Sequence, residues 1–132
     1  DAEVYPMGCA KFVPLIEGEQ FASAELPKAI AEYAAPLKAA GVDALILSCT
    51  HYPFIREQIA AEFGPAVTII DPAEATSQLA IAALQEAGLA KTEGRGRVTV
   101  CGTADIDRVR RLAARMLPVA ECEFKEINLQ EK

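Results

Sequence analysis

The chain has 132 residues, of which 52% are hydrophobic, and this is enough for one modest folded domain with a core. Its formal net charge of −6 argues against a nucleic-acid partner, because contacts to phosphates need clustered Lys and Arg. No apolar run is long enough to span a bilayer and no signal-peptide pattern opens the chain, so we expect no membrane partner and a cytoplasmic location.

The patterning of the first quarter of the chain predicts one strand and one long helix. A short strand is predicted over residues 4–7, followed by a turn-rich segment with about one helical turn at residues 11–19. Residues 26–40 are predicted to form a helix in which Pro36 introduces a kink or a break. The apolar face of this helix is predicted to consist of Leu26, Ile30, Tyr33 and Leu37.

The next elements alternate between buried strands and helices. The apolar run at residues 44–48 predicts a strand that is buried on both faces. A helix is predicted over residues 53–63, and a second buried strand over residues 66–71. Asp71 is then expected to cap a helix that continues to residue 88, with a proline at its first position.

The last third of the chain continues the alternation. A polar, glycine-rich loop at residues 91–97 is followed by a predicted strand over residues 98–102. A helix is predicted over residues 104–116 and a final strand over residues 122–129. Strands and helices that alternate in this way are typical of an open α/β sheet.

Four cysteines, at positions 9, 49, 101 and 122, share the chain with a single histidine. They form no Cys-x-x-Cys pair, so we expect no metal site. A chain with this much apolar sequence does not need disulfides, and we expect the thiols to be reduced, as in the cytosol.

The candidate functional residues follow the apolar run that ends at Cys49. Ligands of open α/β sheets bind where strand passes to helix, and free N–H groups at a helix start favour a thiolate there. Cys49 is therefore a candidate acid or base, Thr50 can bind a substrate carboxylate, and His51 can assist proton transfer. The residues alone leave another interpretation open, in which Cys49 and His51 serve packing and Thr50 is a helix cap.

The string LSCTHYPFI, residues 47–55, closely resembles the second cysteine motif of the glutamate racemases, within the aspartate/glutamate racemase superfamily. Three flanking segments resemble this family more weakly: MGCAKFVPLIEGE (7–19), VTVCGTADIDRVRRLA (98–113) and INLQE (127–131). Ser48 stands where the family usually has glycine.

The resemblance implies a cofactor-independent isomerase that interconverts L- and D-glutamate for peptidoglycan synthesis, with two cysteines facing each other across the substrate. It implies that Cys49 is the second-lobe thiol, that His51 and Glu17 assist proton transfer, and that Thr50 helps hold the substrate α-carboxylate. No metal, flavin or pyridoxal phosphate is needed in this family. The remaining cysteines match no catalytic position and are expected to be packing residues: Cys9, Cys101 and Cys122.

The family's first half contains an Asp-Ser pair and a Cys-Asn-Thr motif, and this sequence has neither; its only asparagine is Asn128. The resemblance therefore implies the C-terminal part of a glutamate racemase, an open three-layer α/β sheet that is present only in part. Residues 1–71 would be the later part of the second lobe, and residues 72–132 the returning segment that completes the first. We expect the chain alone to be inactive, with the missing N-terminal half or a homo-oligomer as its protein partner.

Two other classes of function stay open at this point. The arylmalonate decarboxylases share the architecture and protonate an enolate-like intermediate with a single cysteine in this region. A non-catalytic binding module could retain the fold without the chemistry. The Thr-His-Tyr-Pro string after Cys49 favours the amino-acid racemase.

Overall fold

The computed structural model describes residues 2–91, 93–94, 96–115, 117 and 119–129. The chain divides into two compact units, Asp1–Ala90 and Lys91–Lys132. The predicted boundary between residues 71 and 72 concerns the lobes of a complete racemase, and it stays a prediction.

The first unit consists of helices packed around a short parallel sheet. Its helices are α1 (Phe12–Glu17), α2 (Glu25–Ala39), α3 (Arg56–Phe63) and α4 (Pro72–Glu86). Its strands are β1 (Ala44–Ile46) and β2 (Thr68–Ile70), which pair in parallel with Leu45 opposite Ile69. The turn between β1 and α3 contains a 3-10 helix at Tyr52–Ile55.

The hydrophobic core of this unit lies where α1, α2 and the 3-10 helix meet. Ile55 is fully buried, and Tyr33 and Phe12 pack edge to face with their ring centroids 5.2 Å apart. The apolar face predicted for α2 is confirmed at three buried positions, and Tyr33 is half-buried beside them. The core cluster contains Phe12, Ile16, Leu26, Ala29, Ile30, Leu47, Ile55 and Ile59.

Pro36 does not divide its helix, the kink predicted there stays a prediction, and Pro53 does not begin an α-helix directly. α2 runs through Pro36 as one helix, because this proline stands in the last turn and removes only one hydrogen bond of the helix. The helix predicted from Pro53 begins as α-helix only at Arg56. The preceding residues adopt the tighter 3-10 form, with Pro53 in the first turn, where its missing N–H has no partner to lose.

The strand predicted over residues 4–7 is wrong, because residues 2–9 form no regular secondary structure. The prediction that the next strands are buried on both faces is also wrong in this chain. β1 and β2 each leave their outer residues exposed, and Ile46 is 59% exposed. Both errors share a cause: a sheet of two parallel strands has too few neighbours to cover its faces and edges.

α4 begins as the sequence predicts and ends two residues earlier, at Glu86. The side chain of Asp71 accepts a hydrogen bond from the Ala73 N–H at 3.0 Å, and Pro72 occupies the first turn. None of the side chains of α4 is buried. The large apolar residues exposed on α4 are Leu79, Ile81 and Leu84.

Among its described residues, the second unit contains a parallel strand pair, an α-helix and a 3-10 helix at Val119–Glu121. It contains β3 (Val98–Gly102), α5 (Ile106–Ala113) and β4 (Cys122–Glu126), with Val100 opposite Phe124. α5 and β4 are shorter than the predicted residues 104–116 and 122–129, and residue 116 lies outside the described residues. The guanidinium of Arg110 stacks 4.5 Å from the centre of the Phe124 ring.

The predicted α/β class is confirmed, and its sheet is present only in part, as two small parallel pairs. Within the described ranges, no helix is long and apolar enough to cross a membrane.

Candidate functional site

Cys49, Thr50 and His51 form a tight turn between β1 and the 3-10 helix. The carbonyl oxygen of Cys49 accepts a hydrogen bond from the Tyr52 N–H at 3.2 Å, and that of His51 accepts one from the Phe54 N–H at 3.1 Å. Cys49 is half-buried and Thr50 is exposed. The helix that follows begins with four residues of 3-10 form and continues directly as α3. The expected effect of this helix start on the thiol stays a prediction.

The structure brings His51 and Glu17 together, although 34 residues separate them in the chain. Nε2 of His51 lies 3.0 Å from Oε1 of Glu17, which is the last residue of α1. A carboxylate only accepts hydrogen bonds, so Nε2 is the donor in this pair. Both side chains are about one-third exposed, at 30% for His51 and 33% for Glu17, and so lie at the surface of the site.

Thr50 contacts the other nitrogen of the same ring. Its Oγ1 lies 3.5 Å from Nδ1 of His51, a long hydrogen bond. With Nε2 donating to Glu17, a neutral imidazole has an acceptor at Nδ1 that faces the Thr50 hydroxyl. The three polar side chains expected to assist Cys49 thus form one connected chain from Thr50 through His51 to Glu17.

Cys9 and Tyr52 also belong to this neighbourhood, and the sequence analysis did not identify them as such. The Tyr52 hydroxyl is hydrogen-bonded to Cys9. Burial raises the pKa of the Cys9 thiol, the hydrogen bond from Tyr52 lowers it, and the nearby Cys49 raises it again. Burial, followed by the charges of Cys9 and Cys49, raises the pKa of Tyr52. Two thiols and a phenol, those of Cys9, Cys49 and Tyr52, therefore interact with one another.

All four cysteines are free thiols. Cys9 packs against the core as expected, and Cys122 is half-buried. Cys101 is exposed on β3, so its expected packing role is wrong in this chain. No cluster of three or more His, Cys, Asp or Glu side chains that could hold a metal occurs in the part of the chain that the structure describes.

We expect Cys9 to be alkylated more slowly than Cys101 at neutral pH. The raised pKa of Cys9 lowers its thiolate fraction at any given pH, and its half-buried position restricts access. Its alkylation rate should therefore increase only at higher pH, and Tyr52→Phe should slow it further because the hydrogen bond that lowers the pKa is lost. Peptide mapping after brief iodoacetamide treatment across a pH series measures both rates. Equal labelling of Cys9 and Cys101 at every pH would contradict this expectation.

Comparisons with known proteins relate these observations to a family. No family model matches the chain. A glutamate racemase of Thermus thermophilus is 37% identical over 123 residues, which cover 93% of this chain and 47% of that protein.

Solved structures give the same result for the fold. Glutamate racemase isoform RacE1 from Bacillus anthracis superposes with a TM-score of 0.87 at 26% identity, covering 98% of this chain and 48% of that one. The glutamate racemase from Francisella tularensis, solved in complex with D-glutamate, gives a TM-score of 0.85 at 28% identity, covering 97% of this chain and 48% of that one. The chain spans about half the length of these relatives. In sequence and in fold, therefore, this chain is similar to the C-terminal part of a glutamate racemase.

Proposed function

We propose that the protein to which this chain belongs is a cofactor-independent glutamate racemase, and that this chain supplies one half of its active site. The observation that supports this most is the connected group of Thr50, His51 and Glu17 beside Cys49, in a chain that matches glutamate racemases along nearly its whole length. The glutamate racemases among its relatives favour this activity over a one-thiol decarboxylase or a binding module.

In the proposed mechanism, Cys49 acts as a thiolate on one face of glutamate. The thiolate takes the α-proton, the Cα–H bond breaks, and its electron pair stays on the substrate as a carbanion next to the carboxylate. A thiol from the remaining half of the protein then donates a proton to the opposite face, which inverts the configuration. In the reverse direction the two thiols exchange roles.

The other three residues position the substrate and the proton. Thr50 is exposed at the turn, where its hydroxyl and N–H can bind the α-carboxylate. The hydrogen bond from His51 to Glu17 orients the imidazole ring. It also determines, before substrate arrives, which ring nitrogen carries the hydrogen. We propose that this pair assists proton transfer to and from Cys49 by stabilising the charge that changes there.

The proposed product, D-glutamate, places the protein in peptidoglycan synthesis, and we propose a cytoplasmic location for it. The proposed partners are glutamate and the N-terminal half of the same protein. Cys9 and Tyr52 have no transferring role in this proposal.

The proposal is tested with a chimera that joins this chain to the half of the T. thermophilus racemase that it does not match. We expect the chimera to convert either enantiomer of glutamate into a mixture of the two. Circular dichroism measures this conversion. A well-folded, monodisperse chimera that leaves both enantiomers unchanged would overturn the proposed function.

We expect His51→Asn in this chimera to lower kcat by about 10- to 100-fold, less than the loss of a transferring group. Glu17→Gln keeps the shape of its side chain and removes its charge, so the effect should have the same direction and be smaller. Kinetics in both directions measure the changes. Glu62 on α3 forms an ion pair with Lys38 on α2. Glu62→Gln is therefore the matched control, and it should leave kcat unchanged. A His51→Asn chimera with parental kcat would remove His51 from the mechanism.

A further inference from the structure

Tyr52 joins the Cys49 turn to the start of α1. Its N–H donates to the carbonyl oxygen of Cys49 at 3.2 Å, so its backbone closes the turn. Its ring packs edge to face on Phe12, the first residue of α1, with the ring centroids 5.4 Å apart. Its hydroxyl is hydrogen-bonded to Cys9, whose carbonyl oxygen accepts a hydrogen bond from the Phe12 N–H at 3.1 Å. The main chain of Tyr52 therefore belongs to the turn, and its side chain is attached to the start of α1.

The other end of α1 is attached to the same turn by a second contact. Glu17, the last residue of α1, accepts the hydrogen bond from Nε2 of His51 at 3.0 Å. α1 has six residues, so its two ends lie about 8 Å apart along the helix axis. His51 and Tyr52 are consecutive, and they hold the helix at opposite ends. Because two separate attachments prevent the rotation that a single one allows, the position of Glu17 relative to the turn depends on both.

The attachment at the start of α1 is buried, whereas the attachment at its end is open to water. Phe12 is only 4% exposed, and Tyr33 packs edge to face on it as well. His51 and Glu17 are each about one-third exposed. A hydrogen bond between two partly exposed side chains holds its geometry weakly, because water competes for both groups and ordering them costs rotamer entropy. The buried attachment through Tyr52 therefore determines how well the exposed pair is aligned.

We propose that Tyr52 is a positioning residue of the racemase, which fixes α1 against the turn so that Glu17 stays aligned with His51. This inference rests on the proposed function, in which the His51–Glu17 pair assists proton transfer. In this role Tyr52 acts through His51, and it contacts neither the substrate nor the transferred proton.

Tyr52→Phe in the chimera with the T. thermophilus half tests the hydroxyl alone. The backbone hydrogen bond that closes the turn is kept in this variant, so we expect KM to stay within about twofold. We expect kcat to fall by about 5- to 20-fold, because a loosened His51–Glu17 pair displaces a group that assists proton transfer. An active chimera in which Tyr52→Phe retains the parental kcat would overturn the inference and leave the proposed function intact.

Tyr33→Phe is the matched control for this variant. The Tyr33 hydroxyl accepts a hydrogen bond from the Lys11 N–H at 3.2 Å, and its ring packs on the same phenylalanine as the ring of Tyr52. Tyr33 belongs to α2, however, and not to the turn. Its replacement should lower the midpoint of thermal unfolding about as much as Tyr52→Phe does, and leave kcat within about twofold. Equal losses of kcat in the two variants would show that Tyr52 only stabilises the core, which would overturn the inference.

A double-mutant cycle with Cys9 tests the hydrogen bond itself. Cys9→Ala removes the partner of the Tyr52 hydroxyl, and Cys9→Ser replaces it with another hydrogen-bonding group. We expect Cys9→Ala to lower kcat as Tyr52→Phe does, and Cys9→Ser to recover most of that loss. The double variant Tyr52→Phe/Cys9→Ala should be no slower than either single variant, because both remove the same bond. Additive losses would exclude this bond as the means by which Tyr52 acts.

The NMR signals of His51 test the inference in this chain without any enzymatic activity. His51 is the only histidine of the chain, so the relaxation of its imidazole ring can be measured without overlap from another such ring. The order parameter of the ring should fall from about 0.85 toward about 0.6 in Tyr52→Phe and stay unchanged in Tyr33→Phe. An unchanged order parameter in Tyr52→Phe would overturn the inference even where the chimera is active. A decrease specific to Tyr52→Phe would support the positioning of His51 by Tyr52 even where an inactive chimera overturns the proposed function.

Discussion

The isolated chain should not racemise either enantiomer of glutamate. A thiol on one face of the substrate can remove the α-proton, but inversion needs an acid on the opposite face. By resemblance to the family, the opposing thiol belongs to a Cys-Asn-Thr motif, and this sequence has no such motif. We therefore expect conversion by the purified chain to be at least about 10⁴-fold slower than by the chimera, measured by circular dichroism at equal concentration.

The control for this comparison is the chimera with an unrelated inactive half, which keeps the chain length without supplying a thiol. Mass spectrometry of the purified chain ensures that no longer racemase from the expression host contributes. Racemisation by a mass-verified chain at a rate near that of the chimera would show that the second acid is already present within residues 1–132.

Cys49→Ser in the chimera should lower racemisation in both directions by about 10²- to 10⁴-fold. A serine hydroxyl is ionised far too little at neutral pH to act as the base, and each direction needs both transferring groups. The partial reactions should differ between enantiomers. By resemblance to the family, Cys49 is the base for L-glutamate, so exchange of the α-proton with solvent should vanish for L-glutamate and persist for D-glutamate.

The measurement is loss of the α-proton signal by NMR in deuterated buffer, for each enantiomer separately. Cys101→Ser, on the exposed face of β3, is the matched control and should leave both exchange rates unchanged. If Cys49→Ser racemises at the parental rate, Cys49 is not a transferring thiol. If exchange persists with L-glutamate instead of D-glutamate, the assignment of faces is reversed.

The helices and strands could be predicted where local patterning determines them. The apolar face of α2, the Asp71 cap of α4 and the five residues of β3 were visible because each depends on residues that are neighbours in sequence or on the same helix face. The strand at residues 4–7 and the burial of β1 could not be predicted correctly, because both depend on neighbouring strands. An apolar run indicates that a strand is suited to burial, and it does not supply the partner that buries it.

In the site, too, residues that are neighbours in sequence could be predicted, and contacts that depend on packing could not. Cys49, Thr50 and His51 were identified together because they are consecutive, whereas Glu17 was linked to them only by resemblance to the family. Their contact across 34 residues requires α1 to pack against the 3-10 helix, and sequence spacing does not reveal that. The hydrogen bond between Tyr52 and Cys9 depends on the same packing and was missed for that reason.

The exposed apolar side chains of α4 have a consequence for the fate of the chain in a living cell. Leu79, Ile81 and Leu84 present branched side chains to water along one helix, which is the type of surface that chaperones and quality-control proteases bind. This chain by itself should therefore be a substrate for such proteases in a cell.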